Sequence, residues 1–151
     1  LGARYLGTNP WITVATPRYL ARSGTPAEPA DLAKHECLVY SSVQGNDVWH
    51  YADARGERVE VSVHGRFRSN NLSAVLAATR ADMGIAILPR YVAREALDRD
   101  EIVPLLESCG LPAQEIHAVY PSPKLVSSKV IALAGYLAER LAGEWWRTKP
   151  G

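Results

Sequence analysis

The chain has 151 residues, of which 47% are hydrophobic and 22% charged, the make-up of one ordinary globular domain with enough length to bury a core. Seventeen Lys and Arg against sixteen Asp and Glu leave a formal charge of +1, which argues against a surface that coats nucleic acid and against an acidic disordered tail. No apolar run approaches the ~18 residues of a membrane span, and no signal-peptide pattern is visible, so a cytoplasmic protein without membrane contact is expected. Residues 1–10 read as Gly-rich and irregular. Trp11-Ile12-Thr13-Val14-Ala15 reads as a strand, and Thr16-Pro17 as a helix start, with Thr as N-cap and Pro in the first turn. That helix, Pro17 to Arg22, should stop at Gly24. A Pro-rich loop follows, then at most one helical turn from Asp31 to His35. Cys37 to Tyr40 and Val48 to Tyr51 read as strands, the second introduced by a turn at Gly45-Asn46-Asp47. Arg58 to Phe67 alternates, with Val59, Val61 and Val63 on one face and Arg58, Glu60, Ser62 and His64 on the other, and Gly65 marks a possible bend.

Asn70-Asn71 should cap a helix through Leu72, Val75, Leu76, Thr79 and Met83 that ends at Gly84. Gly84 to Leu88 is a continuous apolar run of strand length, as a buried parallel strand requires. Pro89 opens a helix through Val92, Ala93, Ala96 and Leu97. Ile102 to Leu106 is a short strand, Glu107 to Ala113 a connector, and Glu115 to Tyr120 another strand. Ser127-Ser128 caps the longest helix, with Val130, Leu133, Leu137 and Leu141 in one apolar stripe. The order implies an α/β fold with a parallel or mixed sheet covered on both faces. The last strand and helix lack a sheet of their own and so need strands from elsewhere. Trp145-Trp146 packs either locally or against a neighbour.

In open α/β sheets ligands bind beyond the carboxyl ends of strands. Four such ends precede predicted helices: Thr16-Pro17, Ser69-Asn70-Asn71, Leu88-Pro89 and Tyr120-Pro121-Ser122, with Arg18, Arg66, Arg68 and Arg90 close by. Helix-start N–H groups there can receive an anion or a carbonyl. The side chains on offer are hydroxyls and amides rather than a base or nucleophile, which suits reversible binding better than turnover. Thr16 and Ser69-Asn70-Asn71 are equally the residues that capping alone would select. His35-Glu36-Cys37 lacks the paired spacing of zinc sites, so no metal is expected. Cys37 and Cys109 are too few for a disulfide framework and are expected to be reduced. Asn71-Leu72-Ser73 matches a glycosylation acceptor only by chance. No Gly-x-Ser-x-Gly elbow, phosphate-binding loop or dinucleotide fingerprint occurs, and no cofactor is expected.

The stretch from Thr16-Pro17-Arg18-Tyr19-Leu20 through Gly24-Thr25-Pro26 to Asp31-Leu32-Ala33-Lys34-His35-Glu36-Cys37-Leu38 resembles the LysR-type transcriptional regulators, with Thr16 in place of the usual Ser. Val63-His64-Gly65-Arg66, Ser69-Asn70-Asn71, Gly84 to Pro89, Tyr120-Pro121 and Ser127-Ser128-Lys129-Val130 continue the likeness in order. The resemblance implies a fold of the periplasmic-binding-protein type II kind: a mixed-sheet lobe flanked by helices plus part of a second lobe. On that frame residues 1–9 are a hinge or crossover segment, and 10–106 the second lobe. Residues 107–114 form the returning connector, and 115–151 the returning strand and final helix of the first lobe. The rest of that lobe and the helix-turn-helix are expected to lie outside this chain. The resemblance further implies a non-enzymatic effector-sensing part of a bacterial regulator, binding a small anionic or aromatic molecule in an inter-lobe cleft and self-associating as a dimer or tetramer. DNA would be reached only through the absent helix-turn-helix. Carried over by position, Thr16, Ser69, Asn70, Asn71, Tyr120 and Pro121 are the effector-site candidates. A solute-binding protein of a transport system, or an enzyme on the same scaffold, is the competing expectation.

Overall fold

A computed structural model of the chain describes residues 2–42, 47–122 and 124–149. It divides into two compact units, one made of residues 1–10 and 113–151 and the other of residues 11–112.

The larger unit is built on a five-stranded sheet. Its members are β2 (Trp11–Ala15), β3 (Cys37–Tyr40), β6 (Arg68–Ser69), β7 (Ile85–Pro89) and β8 (Val103–Leu105), in the order β6-β3-β7-β2-β8. Strand β3 runs parallel to β6 and β7, whereas β2 runs antiparallel to both β7 and β8. The pleat sends successive side chains to opposite faces. Ile12, Val14, Leu38, Ala86 and Leu88 therefore join one core with Val75 and Ala78 of α2 (Leu72–Arg80) and Ala93 and Ala96 of α3 (Arg90–Asp98). Ala15, Cys37, Val39, Ile85, Ile87 and Leu105 join a second core on the other face. There they meet Tyr19 of α1 (Pro17–Ser23) and the antiparallel hairpin of β4 (Val48–Ala52) and β5 (Arg58–Ser62). Burial on both faces is why Ile85 to Pro89 is apolar throughout, with every residue buried.

Several local expectations need correction. The alternating run does not continue to Phe67: the β4–β5 ladder ends at Ser62, and the chain re-enters the main sheet as β6. Gly65 permits that re-entry, because a Cβ there would lie 2.0 Å from the Cys37 carbonyl oxygen. Helix α2 ends at Arg80, not Gly84, and Asp82 takes the left-handed conformation that follows it (φ 61°). Gly84 instead permits a close approach to Glu36, whose carbonyl oxygen would sit 2.4 Å from an added Cβ. The expected turn at Gly45-Asn46-Asp47 lies, apart from Asp47, outside the described residues. The single turn expected after the Pro-rich loop is a 3-10 helix, Pro29–Lys34.

In the smaller unit residues 1–10 are not irregular. Strand β1 (Gly2–Asn9) pairs antiparallel with β9 (Gln114–Tyr120), so β9 is not an orphan. Helix α4 (Ser128–Arg140), capped by Ser127, packs on β1. Gly7 allows that contact, since a Cβ would fall 2.3 Å from the Leu141 carbonyl oxygen. Trp145 packs locally: its Nε1 donates to the Thr8 carbonyl at 2.7 Å. The expected stripe on α4 is largely open, for Val130 and Leu133 are exposed and Ala134 is the helix's buried residue. No helix among the described residues is long and apolar enough to cross a membrane.

Candidate functional site

Strand direction decides which loops can share a site. Because β3, β6, β7 and β8 run one way, their carboxyl ends at Tyr40, Ser69, Pro89 and Leu105 lie along one edge of the sheet. Antiparallel β2 begins at that edge with Trp11, paired to Pro89, and ends at the other. Thr16 therefore sits at the far edge, beside the start of β7, and is not brought together with Ser69, Asn70 and Asn71. Its hydroxyl is also committed. It accepts from the Tyr19 amide at 3.1 Å as the cap of α1 and donates to the Asp82 carboxylate at 2.6 Å. The expectation that all strand ends point alike fails at this one reversed strand.

At the carboxyl edge, Ser69 closes β6 and its carbonyl accepts from the Ser41 amide. The Ser69 hydroxyl accepts from the Asn71 amide at 3.1 Å, and Asn71 Oδ1 accepts from the Ala74 amide at 3.1 Å, capping α2. Asn70, exposed between them, makes no side-chain hydrogen bond among the described residues. Helix α3 opens on the same edge with Pro89 as N-cap, no side-chain cap and Arg90 first in the helix. Amides at such a start carry partial positive charge. Two aromatic rings at this edge were not singled out from sequence. Trp11 and Tyr40 stack with centroids 6.0 Å apart and planes at 30°, both half-buried. The available signal was an aromatic residue at the rim end of each of two strands. Tyr120 closes β9 in the smaller unit, half-buried and paired with Gly2, and Pro121 after it is exposed.

The opposite edge holds a buried polar chain. Tyr19 Oη lies 2.9 Å from His35 Nδ1 and accepts from the Glu36 amide. Burial pushes the His35 imidazole below its ordinary value near 6.5, only partly offset by the Asp31 carboxylate. An unfolded chain then binds the proton more readily than the fold does. Native stability should thus fall as pH drops through 6.5 and level off below the depressed folded value. Melting temperatures from pH 7.5 to 5 should show a shallower slope in His35→Gln than in the parent; equal slopes would contradict it. Cys37 and Cys109 are free thiols. Burial pushes Cys37 up to about 12, and its Sγ faces the Leu32 carbonyl at 3.5 Å. Among the described residues no three His, Cys, Asp or Glu side chains gather as a metal site.

Comparison with known proteins gives this architecture its family. The LysR substrate binding domain family matches residues 1–142. The regulator PtxR of Pseudomonas aeruginosa is 32% identical over 136 residues, covering 90% of this chain and 43% of PtxR. CrgA of Neisseria meningitidis is 29% identical over 142 residues, covering 93% and 47%. Among solved structures, the full-length Vibrio cholerae virulence activator AphB superposes with a TM-score of 0.81 at 26% identity, over 93% of this chain and 48% of AphB. The CrgA regulatory domain gives 0.74 at 26%, over 93% and 69%. The chain spans about half the length of the curated relatives it matches. It belongs to the LysR substrate binding domain family, with that family's periplasmic-binding-protein type II-like fold.

Proposed function

We propose that the chain is the effector-binding part of a cytoplasmic LysR-type transcriptional regulator, binding a small anionic or aromatic molecule without transforming it. The observation that carries this reading is the carboxyl edge of the five-stranded sheet. Two nine-residue helices, α2 and α3, both open there, one beneath Ser69-Asn70-Asn71 and the other uncapped with Arg90 at its head. Amide dipoles, a guanidinium and the Asn70 amide, which has no side-chain hydrogen bond among the described residues, favour a carboxylate, and the Trp11–Tyr40 pair offers an aromatic face nearby. Hydroxyl, amide and guanidinium groups bind an anion but supply no general base near neutral pH. In the whole regulator, the helix-turn-helix that contacts DNA and the remainder of the first lobe are contributed by residues outside this chain. Effector occupancy then biases how the self-associated protein presents its DNA-binding domains.

The test is calorimetry on the full-length regulator with benzoate, salicylate and short dicarboxylates, after a thermal-shift screen selects the probe that raises its melting temperature. Asn70→Ala and Arg90→Gln are each expected to weaken that probe about tenfold, some 1.4 kcal/mol. Thr16→Val should leave affinity unchanged while lowering stability by about 1 kcal/mol through the lost cap. The reverse pattern would reject the carboxyl edge as the site. Family resemblance adds Tyr120 and Pro121 as candidates for the same titration.

A further inference from the structure

The far edge of the sheet, away from the proposed effector site, holds a depression of about 440 Å³, within the range of small-molecule sites. Tyr19, Leu38, Phe67 and Met83 contribute its apolar lining, with Met83 exposed and Leu38 almost wholly buried. Ser23 and four charged side chains complete the lining: Arg22, Arg66, Glu36 and Asp82. The two carboxylates are the sheltered members, at 34% and 23% side-chain exposure against 87% for Arg66.

The carboxylates are held by the fold, whereas the Arg66 guanidinium is only loosely paired. Glu36 sits where the backbone is gripped between Gly65 and Gly84. Its carbonyl accepts from the Ile85 amide at 2.9 Å, and its carboxylate accepts from the Arg66 amide at 3.2 Å. Asp82 is fixed by the Thr16 hydroxyl. By contrast, Arg66 reaches Glu36 only through Nε at 3.7 Å, and Arg18 reaches Asp82 through Nε at 3.8 Å. These are long, single-point, solvent-exposed pairs of the kind that contribute little, so a ligand can re-partner them cheaply. Arg22 lies across the Tyr19 ring, its Cζ 5.7 Å from the centroid, and donates to the Asp82 carbonyl at 2.9 Å.

Two positive and two negative side chains beside Phe67 and Met83 match a ligand carrying one charge of each sign and an apolar body. A carboxylate alone would gain the guanidinium groups but face both acidic residues; an amine alone would meet the converse. The geometry points to a second binding site in this unit for a free apolar α-amino acid. Its ammonium is received by the carboxylates of Glu36 and Asp82, its carboxylate by the guanidinium groups of Arg22 and Arg66, and its side chain by Phe67 and Met83. The site does not depend on the proposed effector site, which lies at the opposite edge of the same sheet.

Amide-resolved NMR titration of the chain with L-leucine and L-phenylalanine tests this, with L-leucinamide and N-acetyl-L-leucine as probes lacking one charge each. Saturable shifts are expected at Tyr19, Arg66, Phe67 and Met83, with Ser69 to Asn71 still. Each single-charge probe should bind at least about tenfold more weakly. Glu36→Gln and Arg66→Gln, a near-isosteric and a solvent-exposed change, should each weaken L-leucine about fivefold or more while the rest of the spectrum stays put. The proposal is overturned if neither amino acid gives a saturable shift by about 10 mM, if the single-charge probes bind as well as L-leucine, or if the shifts fall only on the carboxyl edge.

Discussion

Trp49→Ala is expected to lower stability by about 3–5 kcal/mol, whereas Trp49→Phe should cost no more than about 1 kcal/mol. Trp49 is 1% exposed and is among the largest fully buried side chains of the protein. It lies on β4, where the hairpin closes over Cys37, Val39, Ile85 and Ile87 of the main sheet. Removing it empties the middle of that core, and the surrounding strands are held by ladders that cannot collapse inward. Phenylalanine keeps most of the volume. It also removes the indole Nε1–H, which is buried with no hydrogen-bond partner among the described residues and costs roughly 1–3 kcal/mol while it remains. The two effects partly cancel in Trp49→Phe and do not in Trp49→Ala. Urea unfolding followed by circular dichroism reads both. A Trp49→Phe loss equal to that of Trp49→Ala would mean the indole nitrogen has a partner after all, and a small loss in Trp49→Ala would mean the hairpin is not part of the core. The hairpin's other anchor, a 2.7 Å hydrogen bond between the Tyr51 and Thr13 hydroxyls, lies buried in the same layer, where burial pushes the Tyr51 phenol well above its ordinary value.

Most elements of the larger unit were legible because their signals are local. The Thr16-Pro17 start and Gly24 stop frame α1, and Asn71 caps α2. The unbroken apolar run at 85–89 announces a strand buried on both faces. What could not be read was direction and long-range pairing. Nothing within Trp11 to Ala15 distinguishes a strand running up the sheet from one running down. Its reversal follows from pairing Trp11 with Pro89, 78 positions on, and that reversal moves Thr16 away from Ser69 to Asn71. The same holds for β1, whose Gly2 meets Tyr120 and whose sequence carries no clean alternation to betray it. Asp82 was missed as a helix stop because glycine is the usual left-handed residue there. Asp tolerates that conformation, and here its side chain ties the end of α2 to the start of α1 through Thr16. The family likeness supplied candidate positions one at a time, and within the larger unit strand polarity parts Thr16 from Ser69, Asn70 and Asn71.

Gly65→Ala and Gly84→Ala should each destabilise the protein by about 2–3 kcal/mol, as overpacking against immobile backbone does, and together they should cost more than the sum. Neither glycine has a positive φ, so the penalty is purely one of space. An added Cβ at 65 meets the Cys37 carbonyl oxygen at 2.0 Å, and one at 84 meets the Glu36 carbonyl oxygen at 2.4 Å. Those contacts come from opposite sides of the same short stretch, because β3 lies between β6 and β7 in the sheet. The stretch is also pinned on both sides, by the Cys37 amide donating to the His64 carbonyl and the Ile85 amide donating to the Glu36 carbonyl, each at 2.9 Å. A single substitution can be relieved by shifting the start of β3 toward the other flank. With both in place that escape closes, and neighbouring sites of this kind couple by about 0.5–3 kcal/mol. Gly110→Ala serves as the control: its nearest neighbour would be the Ala52 Cβ at an ordinary 3.6 Å, and it should be nearly neutral. Strict additivity in the double variant would show that β3 does not move as a unit, and a near-neutral Gly65→Ala would remove the grip that holds Glu36 at the far edge of the sheet.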